Sequence, residues 1–139
     1  MTVKPICVIP ARLASVRFPR KLLEPFRGHP ILEHARRRAL LVDGLERVII
    51  ATCDKEIERL VIDNGGDVIM TGDHHPNGTS RVAEAIQSVD CTHVILVQAD
   101  EPLIMPEHVE VMMDAILTHP ECDVFNAVGP LDGDEELDQ

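Results

Sequence analysis

Five short apolar runs, at residues 6–10, 47–53, 67–71, 93–98 and 122–128, alternate along this chain with segments whose apolar residues recur at helical spacing. Runs of this length, rich in Val and Ile, read as strands. Strands separated by helices cannot be joined by tight hairpins and so pair in parallel. The expected fold class is therefore α/β: a Rossmann-like, mostly parallel sheet with helices on both faces. In such sheets ligands bind beyond the carboxyl ends of the strands, where strand order reverses, so the loops after the first, third and fourth runs should converge.

The intervening segments carry helix punctuation. Pro30 suits the first position of a helix over 31–41, with Ile31, Leu32, Ala35 and Ala39 on its buried face. Asp54 is placed to cap the next helix, and Gly65-Gly66 to end it in the left-handed conformation. Residues 72–78 are turn-formers, followed by a helix over 80–88. A last helix over 107–119 shows Val109, Met112, Met113 and Ile116 in register. With 139 residues one core suffices, without internal repeats; residues 1–131 read as one domain and 132–139 as an acidic tail lacking a hydrophobic period.

Charge narrows the partners. The formal net charge is −11, yet residues 1–38 hold nine of the thirteen Lys and Arg, and residues 82–139 hold none. An acidic surface repels polyanions, and three Phe with no Trp or Tyr leave no stacking platform, so nucleic acid is not an expected partner. A small anion drawn to the basic N-terminal segment, opposite acids able to hold a divalent cation, fits the polarity. Neither an N-terminal apolar signal region nor a run near 18 apolar residues occurs, so no membrane partner and a cytoplasmic location are expected. Cys7, Cys53, Cys91 and Cys122 have no paired spacing and sit in or beside apolar runs, which reads as buried reduced thiols.

Three segments carry chemistry. Directly after the first run, Arg12, Arg17, Arg20 and Lys21 with Ser15 place four cations and a hydroxyl within ten residues. Arg grips phosphate oxygens in pairs and Lys supplies a compact charge; the alternative is a solvated basic loop. Neither the P-loop nor the dinucleotide glycine fingerprint is present. The fourth run ends Gln98-Ala99-Asp100-Glu101-Pro102, a sheet-edge carboxylate able to hold Mg²⁺ or simply an exposed strand-end turn. The third is residues 73–81, where Gly78, Thr79 and Arg81 could meet a nucleotide base and Thr79 could equally cap the helix. His74 and His75 adjoin there, but sequence neighbours tend to point apart and neither has a partner at helical spacing, so a metal site is not expected.

Together these segments resemble the 3-deoxy-manno-octulosonate cytidylyltransferases. The similar positions are Ile9-Pro10-Ala11-Arg12, Ser15, Arg17, Pro19, Lys21, Gly28-His29-Pro30-Ile31, Met70-Thr71, Gly78-Thr79, Arg81, Ala83-Glu84, Gln98 and Asp100-Glu101-Pro102. The resemblance spans nearly the whole chain and implies a nucleotidyltransferase, GT-A-like fold. It also implies that Ala11, Arg12, Ser15, Arg17 and Lys21 cradle CTP, that Gly78, Thr79, Arg81 and Gln98 border the nucleoside, and that Asp100 ligates Mg²⁺. Arg12, Arg17, Lys21 and Asp100 would then be catalytic in transfer of CMP to an acid sugar for lipopolysaccharide biosynthesis. Two positions depart: Arg20 and Ala99 stand where the family commonly has Gly. Family members are longer, and the part beyond residue 139 would supply a second metal carboxylate, sugar contacts and a homodimer surface, so on this reading the domain is cut short on its C-terminal side.

Two rivals remain. Cytidylyltransferases for sialic, pseudaminic or legionaminic acid share the fold but usually carry Gly-Gly-Ser-Lys in the first loop, where this chain has Leu13-Ala14-Ser15-Val16. A nucleotide-binding module or regulatory fragment without catalysis would still dock CTP through the first loop.

Overall fold

The computed structural model describes residues 2–14, 20–101 and 105–128. Strand β1 (Pro5–Ala11) leads through the basic segment and a 3-10 turn (Lys21–Leu23) to a hairpin of β2 (Pro25–Phe26) and β3 (His29–Pro30). Then follow α1 (Ile31–Ala39), β4 (Val48–Thr52), α2 (Lys55–Asp63), β5 (Asp67–Met70), α3 (Gly78–Ala85), β6 (His93–Leu96) and α4 (Pro106–Thr118). The main sheet has the order β5-β4-β1-β6 and every pair in it is parallel, with Ile9 opposite Ile50 and Cys7 opposite Ile95.

Strand β1 is buried along its whole length because both sheet faces are covered. Its alternate side chains enter different cores. Cys7, Ile9 and Ala11 join Val48 and Ile50 beneath Leu32 and Ala35 of α1, Ile57 and Val61 of α2, and Val109 and Met113 of α4. Ile6 and Val8 join Ile49 and Ala51 against Val82 and Ala85 of α3. The expected layer order, helices on both faces of a parallel sheet, is the one observed. The apolar stripe of α1 contains Leu32, Ala35 and Ala39 as expected, but it also buries Glu33 and Arg36. Arg36 grips Glu33 in a fork, Nε to Oε1 at 2.7 Å and Nη2 to Oε2 at 2.9 Å, and Arg37 Nε adds a third bond at 3.0 Å. Burial alone would push the Glu33 carboxyl up; the two arginines outweigh it and hold the group below its ordinary value.

Several sequence expectations are corrected. The run over 122–128 forms no strand: it pairs with no neighbour among the described residues, Val124 and Val128 are 82% and 86% exposed, and only Phe125 packs on the core. Apolar content without a ladder partner does not make a strand. Pro30 caps α1 from outside with extended ψ instead of opening it, because it closes the β2–β3 hairpin opposite Pro25. The two residues linking those strands, Arg27 at φ 51° and Gly28 at φ 86°, are both left-handed, as a type I′ turn requires. Of the cysteines only Cys7 is buried; Cys53 and Cys91 are intermediate and Cys122 is exposed. Gly65 does end α2 at positive φ, 76°, as expected.

Candidate functional site

Strand order reverses between β1 and β6: the chain moves outward from β1 to β4 and β5, then crosses back to lay β6 on the other side of β1. The segments leaving β1 and β6 therefore diverge around an opening at the sheet's carboxyl edge. That opening is a cleft of about 410 Å³, lined by residues 10–14, Lys21 and Leu22 on one side and by Gln98, Ala99 and Asp100 on the other. The wall between them comes from His75, Asn77, Gly78 and Arg81, brought across the sheet because α3 packs on β1. The volume lies in the range of small-molecule sites.

Two backbone anchors set the basic segment. Leu13 N donates to Asp54 Oδ2 at 2.8 Å, and Arg20 N donates to Leu13 O at 2.9 Å, tying the ends of the segment together. Asp54 was expected to cap α2; its side chain makes no cap bond and serves the β1 loop instead. Arg20 takes a left-handed backbone, φ 60° and ψ 23°, a geometry glycine adopts without strain, and its guanidinium pairs with Glu56 of α2. The added cation thus faces α2, while the next residue, Lys21, faces the cleft and sets its Nζ 3.3 Å from Asp100 Oδ2.

Of the residues singled out in the sequence, Ala11, Arg12, Lys21, Gly78, Arg81, Gln98 and Asp100 line this one cleft. Ser15 and Arg17 lie outside the described residues. Thr79 is on the first turn of α3 but not in the cleft lining, and it is not the cap: Asn77 is, its Oδ1 accepting from Ser80 N at 2.9 Å. Arg81 is 3% exposed and commits one nitrogen to Thr71 Oγ1 at 2.6 Å and to Gly72 O at 3.0 Å, so it braces the segment after β5 while touching the cleft. Gly78 lies so close to β1 that a Cβ there would sit 2.9 Å from Pro10 Cγ.

Sequence reasoning missed Asn77, His75 and Asp54. Asn77 sits among residues read as turn-formers, His75 was weighed only as a metal ligand, and Asp54 was assigned to the nearer helix. It also misjudged the two histidines. Their rings lie together, centroids 4.4 Å apart, since the alternation that separates sequence neighbours belongs to strands and residues 71–77 have no regular structure. His75 Nε2 lies 2.9 Å from Glu84 Oε1, and Gly72 N donates to both Glu84 oxygens. Those contacts, His75 first and then Gly72, hold the Glu84 carboxyl below its usual range.

The arrangement puts three cations (Arg12, Lys21 and Arg81), two amides (Asn77 and Gln98) and the Asp100 carboxylate around one hollow. Among the described residues no helix is long and apolar enough to cross a membrane. A family profile described as cytidylyltransferase matches residues 6–139. The 3-deoxy-manno-octulosonate cytidylyltransferase of Halorhodospira halophila is 38% identical over 133 residues, covering 94% of this chain and 51% of that one. The 8-amino-3,8-dideoxy-manno-octulosonate cytidylyltransferase of Shewanella amazonensis is 40% identical over 116 residues, covering 81% and 47%. A solved CMP:2-keto-3-deoxy-manno-octonic acid synthetase complexed with CTP superposes with a TM-score of 0.82 at 39% identity, over 84% of this chain and 48% of that one. The chain spans about half the length of the relatives it matches.

Proposed function

Because the chain belongs to the cytidylyltransferase family, we propose that it serves transfer of CMP from CTP to an acid sugar of the 3-deoxy-manno-octulosonate kind. The observation that carries this reading is the meeting of Lys21, Arg12, Gln98 and Asp100 in one cleft at the strand-order reversal. The names of the similar enzymes supply the substrate class.

In the proposed reaction the sugar's anomeric hydroxyl oxygen bonds to the α-phosphorus, the bond from that phosphorus to the β-phosphate's bridging oxygen breaks, pyrophosphate leaves and the hydroxyl proton is lost to solvent. Arg12 and Lys21 hold the triphosphate and offset negative charge on its oxygens, and Gln98 offers an amide able to bond the nucleoside. No covalent intermediate with the chain is needed, since positioning and charge stabilisation account for much of a transfer at phosphorus.

Asp100 fits a magnesium ion. It is a hard oxygen donor, its side chain is 49% exposed at the cleft rim, and it already attracts a positive charge, the Lys21 ammonium. Magnesium takes one or two carboxylates and completes its shell with phosphates and water, so a single carboxylate from these residues is a suitable holder. When bound, the ion would supply Lewis-acid polarisation of the phosphoryl oxygens.

The test is pyrophosphate release from CTP with 3-deoxy-manno-octulosonate, its 8-amino analogue and sialic acid in parallel. Release with an octulosonate supports the reading. Release only with sialic acid would move the chain to the sialic branch, and CTP binding without release for any acid would leave it a nucleotide-binding module.

A further inference from the structure

Ser80 Oγ donates to the carbonyl of Asn77 at 3.0 Å, a bond with only one possible direction. Having spent its proton there, Ser80 can only accept from His75, whose Nδ1 is 3.1 Å away. That places the ring's hydrogen on Nδ1 and leaves the Nε2 lone pair aimed at Glu84 Oε1, 2.9 Å off. A lone pair facing a carboxylate at hydrogen-bond distance is repulsive unless something positive lies between them. A second proton on the ring would serve; so would a metal ion.

The surroundings favour the ion. His74 brings a third donor, and one ligand atom from each of His74, His75 and Glu84 lies within 4.8 Å of the others. Gly72 makes the room: a Cβ there would sit 2.5 Å from His74 Nδ1 and 3.5 Å from Glu84 Oε1. Glu84 is fixed by two bonds from Gly72 N, and the His75 side chain is only 8% exposed, so two of the three ligands are held in place. The third, His74, is exposed and free to turn inward. A tetrahedral ion with bonds of about 2.0–2.2 Å wants its ligands roughly 3.3 Å apart, so the exposed His74 ring turns inward and the His75–Glu84 pair, now 2.9 Å apart, opens slightly to admit it.

We propose that His74, His75 and Glu84 form a site for a divalent transition metal of the zinc class, distinct from the carboxylate that would hold magnesium. Two imidazoles and one carboxylate suit zinc and its neighbours and discriminate against magnesium, which keeps to oxygen. Ser80, through Nδ1, orients the His75 ring as outer partners of metal-bound histidines do. Since His75 also lines the cleft, the ion would brace the wall formed by residues 75–78.

The experiment is calorimetric titration of the full chain with ZnCl₂, repeated with H74A, G72A and D100N. The expected result is one zinc per chain, affinity at least tenfold weaker in H74A and in G72A, and unchanged in D100N. His74 is exposed, so H74A should leave the far-ultraviolet circular dichroism and unfolding midpoint intact; a Co²⁺ titration then reports the ligand field directly through its visible bands. No zinc uptake by the wild type, or uptake equal in wild type and H74A, would overturn the proposal and leave a proton between His75 and Glu84. Loss of zinc in D100N but not in H74A would place the ion at the cleft rim and overturn it equally.

Discussion

Lys21 and Asp100 meet across the cleft, Nζ to Oδ2 at 3.3 Å, although they lie 79 positions apart in the chain. Lys21 opens the 3-10 turn at the far end of the segment leaving β1, and Asp100 lies four residues past the end of β6, the two strands that flank the reversal of strand order. Both side chains are more than a third exposed, 40% and 49%, so the contact contributes little to folding, at most about 1 kcal/mol. Its importance lies in what it places opposite what. Lys21→Ala should leave the urea midpoint nearly unchanged while weakening CTP binding about tenfold to hundredfold, the size of a lost hydrogen bond to a charged group. Denaturation and titration on one preparation check both halves.

Glu33 behaves in the opposite way. It is 1% exposed and shares its oxygens with Arg36, itself 5% exposed. Removing one member of a buried pair leaves the other charged and unpaired, so Glu33→Ala should destabilise by about 3–5 kcal/mol. The folded value of this carboxyl is depressed, so its contribution is fully present above the unfolded value of about 4.3 and fades as pH falls through the folded value. The wild type should therefore lose stability below about pH 4.3 more steeply than Glu33→Gln, as thermal melts across that range would record.

Two glycines should fail for different reasons when given a methyl group. At Gly28, φ is 86° and nothing lies within 4 Å of the added carbon, so Gly28→Ala should cost about 1 kcal/mol from backbone strain and leave CTP affinity alone. At Gly78 the methyl meets Pro10 on a buried strand, so Gly78→Ala should cost about 1–3 kcal/mol and also lower CTP affinity by shifting α3 off the cleft. Melts and titrations of the pair separate the two causes.

Asp54→Asn should test the anchor under the basic loop. It keeps an oxygen for Leu13 N but removes the charge, so a loss of about 0.5–1.5 kcal/mol is expected, with Asp54→Ala losing more. Faster exchange of the Leu13 amide hydrogen in Asp54→Ala would show the loop opening locally.

The sequence made legible what depends on local pattern. Strand β1 followed from an apolar run too short for a helix, and it overruns that run by one residue at each end, while the other three strands of the main sheet fall within theirs. The cleft was legible too, because parallel sheets put their loops on one edge and the unusual residues were in those loops. What stayed hidden was partner choice. Nothing local distinguishes Arg20, turned to Glu56 by a left-handed backbone, from Lys21, turned to Asp100. Glu33 and Arg36 look like a solvated helix face until the helix is seen to bury them. The run over 122–128 has strand composition, but strands are made by neighbours, and that information is not in the run itself.

In the proposed function, a triphosphate and its magnesium share the hollow between Lys21 and Asp100. The direct measurement is CTP affinity with and without Mg²⁺, for the wild type and for Asp100→Asn. At least tenfold tighter CTP binding with magnesium is expected in the wild type, and no such gain in Asp100→Asn. Equal affinity with and without the ion in the wild type, or a full magnesium gain surviving in Asp100→Asn, would contradict it.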